Sequence, residues 1–128
     1  MHTTRSRVGL AVRALPVLFL TFDAVIKLLE IDPVTESMIR LGYPVHLANV
    51  LGAIELACVV LYLLPRASVL GAILTTGFLG GAVATHLRVG DPLATHTFFP
   101  MYVGALLWLG LGLRHPDVTA ILLGGPRR

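Results

Sequence analysis

Four long apolar runs, separated by short polar stretches, make up most of this 128-residue chain. They cover roughly residues 8–29, 45–64, 68–87 and 98–113, and each approaches the ~20 residues that a helix needs to cross a bilayer. The fourth run is slightly short, so its helix either stands nearly upright or begins earlier. The pattern predicts an all-α fold, a transmembrane four-helix bundle that forms a single membrane domain over residues 1–128 with no soluble domain.

A shorter amphipathic segment separates the first two runs. Pro33 suits the first turn of a helix, and i, i+4, i+7 spacing places three apolar side chains on one face, those of Val34, Met38 and Leu41. Glu36 and Arg40 are four residues apart and are expected to pair. We expect a short helix lying at the membrane interface, ended by the turn Gly42-Tyr43-Pro44.

The composition supports a lipid environment. Hydrophobic residues make up 55% of the chain and charged residues 13%, whereas soluble domains carry about 25% charged residues. Mean hydropathy is +0.83, so the lipid bilayer is the expected surrounding. The first run follows the basic residues Arg5 and Arg7, as a signal peptide would, but no small-x-small cleavage site follows it. We therefore predict a retained helix.

The positive charge is unevenly placed along the chain. The formal net charge is +3, and the basic residues other than Lys27 are all arginines near the ends of apolar runs, which indicates membrane topology rather than nucleic-acid binding. One side of the predicted bundle holds Arg40 and Arg88, with Lys27 just inside. The other side holds Arg5, Arg7, Arg13, Arg66, Arg114, Arg127 and Arg128. This asymmetry predicts a multi-pass protein of the inner (cell) membrane with both termini in the cytoplasm.

Ionisable side chains inside the predicted spans are the main candidates for function, because they are costly there unless they are paired or used. Asp23 and Lys27 are four residues apart in the first span and can pair. Glu55 lies ~10 residues into the second span, hence ~15 Å deep. It is either protonated, paired across helices or lining a wet cavity. His86 lies at the end of the third span.

Because the spans alternate in direction, these groups should meet in the outer half of the bundle. Glu55, Asp23 and His86 are the candidate acid–base residues. The candidate ligand contacts are Lys27, Tyr43, His46, Thr85 and His96. An alternative without a functional site stays open, in which the Lys27 side chain extends to the membrane surface and the histidines are ordinary interfacial residues. No HxxxH or HExxH spacing is present, so no metal site is predicted.

The third span is rich in small residues. Gly77 and Gly81 are four apart and share a helix face, which predicts close packing against another helix of the bundle or of a partner subunit. Cys58, the lone cysteine, leaves no dithiol relay and is expected to serve packing.

Several short pieces of sequence follow one another in order over about residues 17–113. They are Phe22 with Lys27-Leu28, Gly42-Tyr43-Pro44, Leu51-Gly52 with Glu55-Leu56, Leu64-Pro65, Leu70-Gly71-Ala72-Ile73-Leu74, Gly81-Ala82 with His86, and Gly90-Asp91-Pro92. In this order and spacing they resemble the DoxX-like family of small four-helix membrane proteins. The resemblance implies an inner-membrane protein. The family takes its name from a subunit associated with thiosulfate:quinone oxidoreduction, and some members are linked to redox and oxidative-stress systems.

Three functions remain open at the level of sequence. The first is a subunit that binds a small lipophilic molecule such as a quinone in an outward-facing polar pocket, and the family resemblance implies that it would belong to a redox complex. The second is a membrane-embedded enzyme, an isomerase, cyclase or epoxide-opening hydrolase, that uses Glu55 and Asp23 as acid and base. The third is a structural or assembly subunit, in a homo-oligomer or beside a partner membrane protein. Without a cysteine pair, electron transfer would need a bound quinone or a partner.

Overall fold

The computed structural model describes the backbone of residues 2–125 and the side chains from Arg7 onward, so Arg5, Arg127 and Arg128 of the charge pattern lie outside the described side chains. Within this part the chain is helical, with turns and no strand. The α-helices are α1 (His2–Leu28), α2 (Asp32–Leu41), α3 (Leu47–Leu63), α4 (Ser68–Arg88), α5 (Phe99–Arg114) and α6 (Pro116–Leu122), and a π-helical turn, Leu93–Thr97, precedes α5.

Three stretches are long and apolar enough to cross a membrane: Arg7–Leu28, Ser68–Arg88 and Leu93–Arg114. Helix α3, Leu47–Leu63, is apolar but shorter. The last stretch begins earlier than the apolar run predicted, because the π-helical turn continues almost directly into α5. Helix α1 continues through Pro16, whose side chain is buried. An all-helical fold with several apolar helices therefore indicates a membrane protein.

The long helices pack in a closed order. Helix α1 contacts α3 and α5, and α4 contacts the same two helices from the opposite side. Their shared core consists of Leu20, Val59, Tyr62, Ala72, Leu79, Val103, Leu107 and Leu111. The Tyr62 hydroxyl donates to the buried carbonyl of Leu107 at 2.8 Å, and the Trp108 indole donates to Thr76 Oγ1 at 2.7 Å. These two bonds join α3 and α4 to α5.

Glycine does permit close helix approach in this fold, but not at the positions that the sequence predicted. A Cβ atom at Gly52 would lie 2.9 Å from the Ala24 carbonyl oxygen of α1, and one at Gly71 would collide with the backbone of Tyr62. By contrast, nothing lies within 4 Å of a Cβ built at Gly77 or Gly81. The predicted helix contact at Gly77 and Gly81 is therefore wrong within the described chain.

Helix α2 lies across one end of the packed helices. It starts at Asp32, next to Pro33, and ends at Leu41. Gly42 caps it with a φ of +82°, the left-handed conformation that glycine adopts without strain. Val34 and Met38 are buried and pack with Ala48 of α3, as the amphipathic spacing predicts. The predicted Glu36–Arg40 pair does not form, because the Arg40 guanidinium reaches Asp91 instead, at 2.6 Å.

Candidate functional site

A cavity of about 500 Å³ lies at the end of the packed helices opposite the α3–α4 turn. Helices α1, α3 and α4 and the start of α5 supply its walls, and α2 covers it. Much of the lining is apolar, with Ile26, Val34, Met38, Leu51, Phe78 and Phe99 among the lining side chains. Pockets of this size and character are typical of small-molecule sites.

An ammonium group held between two carboxylates forms part of this lining. Lys27 Nζ donates to Asp23 Oδ2 at 2.5 Å on its own helix and to Glu55 Oε2 at 3.0 Å across to α3. The Glu55 side chain is 2% exposed, against 20% for Lys27 and 29% for Asp23. Lys27 Nζ also lies 5.2 Å from the centre of the Phe78 ring. We call Asp23, Lys27 and Glu55 the charged triad.

A pair of hydroxyl groups lies further along the same cavity. Thr85 Oγ1 donates to the Gly81 carbonyl one turn earlier in α4, at 2.8 Å. The Tyr43 hydroxyl lies 2.7 Å from Thr85 Oγ1. Since the Thr85 proton is committed to the carbonyl, Tyr43 is the donor in this second bond. The chain just after α2 is thereby tied to α4.

His86 and Arg40, which both line the cavity, share one carboxylate. Asp91 Oδ2 lies 2.5 Å from His86 Nδ1, and Asp91 Oδ1 accepts from Arg40 at 2.6 Å. The hydrogen bond from His86, followed by that from Arg40, holds the pKa of the Asp91 carboxyl below its usual 3.8. Asp91 is therefore ionised at neutral pH and only accepts, so His86 Nδ1 is the donor.

A further contact fixes α2 over the cavity. Arg88, the last residue of α4, donates from its guanidinium to the Leu41 carbonyl at the end of α2. Together with the Arg40–Asp91 ion pair, it attaches the C-terminal turn of α2 to the end of α4. Helix α2 is thus a cover held by charged contacts on one side and by apolar packing on the other.

The profile of the DoxX-like family matches residues 11–110. The chain belongs to the DoxX-like family. This confirms the resemblance carried by the short sequence pieces, and the match includes every residue that lines the cavity. No curated protein and no solved structure matches the chain.

The sequence-predicted site residues of this DoxX-like protein divide into two groups. Those that line the cavity are Asp23, Lys27, Tyr43, Glu55, Thr85 and His86. His46 and His96 do not line it, and both are exposed. His46 precedes α3, whose inward-facing first turn is occupied by Ala48. His96 bonds to Thr95 at 2.9 Å, and its ring centre is 6.3 Å from that of His86.

Two residues of the site were missed by sequence reasoning. The sequence predicts a pair between Arg40 and Glu36, and Asp91 enters only as part of the short piece Gly90-Asp91-Pro92. The contact between Asp91 and His86 could have been predicted locally, because an acidic residue shortly after a helix can reach back to basic residues in its last turn. The bond from Arg40 to Asp91 spans 51 residues, and no local pattern predicts it.

Gly77 and Gly81 take a different role from the one predicted. Both line the cavity and leave open space where a side chain would stand.

Cys58 is a buried free thiol in α3. Among the residues whose side chains are described, no three His, Cys, Asp or Glu groups converge to hold a metal ion.

Proposed function

We propose that this DoxX-like protein binds a small lipophilic molecule in the cavity under α2, with the polar head of the molecule against the charged triad. The observation that carries the proposal is the triad itself, in which the nearly buried Glu55 pairs with the partly exposed Lys27 beside a largely apolar cavity of about 500 Å³. Ionisable groups at membrane depth are costly and mark ligand or proton sites.

The membrane placement belongs to the same proposal. Helices α1, α3, α4 and α5 cross the inner membrane as a four-helix bundle with both termini in the cytoplasm, as the arginine asymmetry favours. Helix α3 has 17 residues and is ~25 Å long, and its flanking residues complete the crossing. Helix α2 then lies at the outer interface, and the cavity occupies the outer half of the bilayer.

A quinone-type ligand within a redox complex is the narrower form of this function. Family membership supports it. The apolar cavity also supports it, because polar groups lie at two heights along it: the charged triad at one, and the set of His86, Asp91 and Arg40 at the other. The chain has one cysteine, so an electron-transfer role depends on a bound carrier or on a partner membrane subunit.

A membrane-embedded acid–base enzyme is the second candidate, and a specific observation favours it. Two carboxylates, Asp23 and Glu55, share one ammonium beside the cavity. Two acids in unequal surroundings are the arrangement that acid–base catalysis uses, and His86 is a further proton carrier. Isomerisation, cyclisation or epoxide opening of a lipophilic substrate would each need such a pair.

The ligand can be identified directly. We expect native mass spectrometry of the protein in nanodiscs of its own membrane lipids to show a bound lipophilic molecule. Glu55→Gln keeps the shape but removes a charge, so it should lower occupancy about tenfold or more. Glu36→Gln, on the exposed face of α2, is the matched control and should retain the molecule.

Incubating the recovered molecule with fresh protein separates the two candidates. Conversion to a product, seen by chromatography, favours the enzyme, and recovery unchanged favours binding alone. Equal occupancy in wild type and Glu55→Gln, or no bound molecule in either, would overturn the proposed site.

A further inference from the structure

The seams between the long helices differ in how they are closed. Between α1 and α3, a Cβ atom at Gly52 would lie 2.9 Å from a backbone oxygen of α1, so the two backbones touch. Between α1 and α5, the rings of Phe19 and Phe99 pack edge to face with their centres 5.1 Å apart. Between α4 and α5, the Trp108 indole is bonded to Thr76. Direct contacts therefore close three of the four seams.

The fourth seam, between α3 and α4, is held together near its two ends. Near the α3–α4 turn, Gly71 lies directly against the backbone of Tyr62. At the other end, the Tyr43 hydroxyl, a few residues before α3, lies 2.7 Å from Thr85 Oγ1 of α4. An opening in this seam would have to lie between these two contacts.

Gly77 and Gly81 lie between the two contacts, on the outer side of α4. Each is two residues from the buried Leu79, and two residues turn a helix by about 200°, so both point away from the core. Both are exposed, and both line the cavity. No atom of the described chain lies within 4 Å of a Cβ built at either position. The cavity therefore reaches the outer surface of the protein here, and we call the gap bordered by Gly77 and Gly81 the side opening.

The side opening lies at hydrocarbon depth in the proposed membrane placement. Helix α4, Ser68–Arg88, has 21 residues, and Gly77 is near its middle. Spacings of three and seven residues place Leu74 and Leu70 on the same flank of α4 as Gly77, and both leucines are exposed. An apolar surface thus continues from the side opening along α4.

From this geometry we infer that the ligand is a long-chain amphiphile that extends beyond the cavity. Its head lies at the charged triad, and its hydrocarbon tail leaves through the side opening and lies along α4 in the bilayer. At ~30 Å³ for each water-sized atom, a cavity of about 500 Å³ holds on the order of 15 to 20 heavy atoms, and the side opening removes this limit on chain length. The inference rests on the proposed function and specifies the ligand class.

The length of the tail should have little effect on binding. The part of the tail beyond the side opening is surrounded by hydrocarbon before and after binding, because lipid tails are as apolar as leucine side chains. A closed cavity would instead exclude any chain larger than its own volume. Chain-length dependence therefore distinguishes the two arrangements.

The test compares two alcohols that share a head group and a repeating unit. Geraniol has two isoprene units and fits within the cavity, whereas solanesol has nine and does not. Each is tritiated, incorporated in nanodiscs over the same range of mole fractions and counted on captured protein by scintillation proximity, with empty nanodiscs as the background. We expect the wild-type protein to bind both alcohols with similar affinity.

A matched pair of variants tests the side opening. Gly77→Phe places a ring in it and should weaken solanesol binding about tenfold or more, because the ring and the chain compete for the same space. Geraniol binding should be retained, which also shows that the variant is folded. Gly80→Phe is the control, since Gly80 is equally open but does not line the cavity, and it should retain both alcohols.

The outcomes distinguish this inference from the proposed function. The inference is wrong if solanesol does not bind the wild type, if it binds Gly77→Phe equally well, or if that variant loses both alcohols alike. The head-group site would still stand in those cases if Glu55→Gln loses geraniol. If both alcohols bind Glu55→Gln as tightly as wild type, or neither binds the wild type, the proposed site fails and this inference fails with it.

Discussion

Lys27 holds the site together at the scale of single residues. Its side chain does not extend to the surface as a snorkelling lysine would, because it bonds to Asp23 on one side and to Glu55 on the neighbouring helix. Removing one partner of a buried ion pair typically costs about 3–5 kcal/mol, since the other charge is left uncompensated. Each member of the triad therefore constrains the other two, which keeps the head-group site in one geometry.

Asp91 gives a residue-scale prediction. Its pKa is held below 3.8 by His86 and Arg40, so as the pH falls the unfolded chain takes up this proton before the native protein does. The stability that Asp91 contributes is therefore fully present above the ordinary pKa and is lost as the pH falls through the lowered one. Asp91→Asn should lower the thermal midpoint in detergent at about pH 7, and its difference from wild type should shrink as the pH falls below about 4.

Thermal unfolding of the two proteins across that pH range is the measurement. Glu36→Gln serves as the control and should track the wild type throughout. A difference between wild type and Asp91→Asn that stays constant on acidification would show that the carboxylate charge of Asp91 is not what stabilises this end of the molecule.

At the scale of elements, α2 and α4 together define the cavity. Helix α2 is attached to the end of α4 by the Arg40–Asp91 pair and by the bond from Arg88 to the Leu41 carbonyl. In α4, Gly77 and Gly81 line the cavity and leave space in it, whereas Gly71 allows α3 to pack closely against α4. The same residue type thus serves opposite purposes along one helix.

Glycine substitutions separate these purposes. Gly71→Ala should lower the free energy of unfolding by about 1–3 kcal/mol, because its methyl group would collide with the backbone of Tyr62. Gly81→Leu should leave stability near wild type but abolish ligand binding. Gly80→Leu is the matched control, since Gly80 also has open space but does not line the cavity. Thermal scans and ligand titration measure both effects, and a destabilised Gly81→Leu that still binds would contradict the assignment.

For the whole molecule, the prediction concerns orientation. Reporter fusions after Arg66 and after Arg128 should read cytoplasmic, and a fusion after Asp91 should read external, because arginine-rich ends are retained on the cytoplasmic side. Paired alkaline phosphatase and fluorescent-protein fusions measure this directly. An external C-terminus would overturn the proposed topology and would move the cavity to the opposite half of the bilayer.

The sequence by itself determined the helical, membrane-type character of this protein and its family. Long apolar runs leave a chain few alternatives to helices in lipid, because every backbone polar group must be satisfied internally. It also predicted the apolar face of α2 at Val34 and Met38. Six of the predicted site residues do line one cavity, because spans that alternate in direction place their ends side by side.

Only the tertiary structure decided which partners these residues take. Glu55 meets Lys27 across 28 residues, and Arg40 meets Asp91 across 51. Local spacing instead favoured Glu36 for Arg40. The same holds for Gly77 and Gly81, whose shared face is evident in sequence, whereas what lies opposite that face depends on how α3 and α4 diverge. Periodicity fixes the direction of a side chain on its own helix, and the packing of the other helices fixes what it meets.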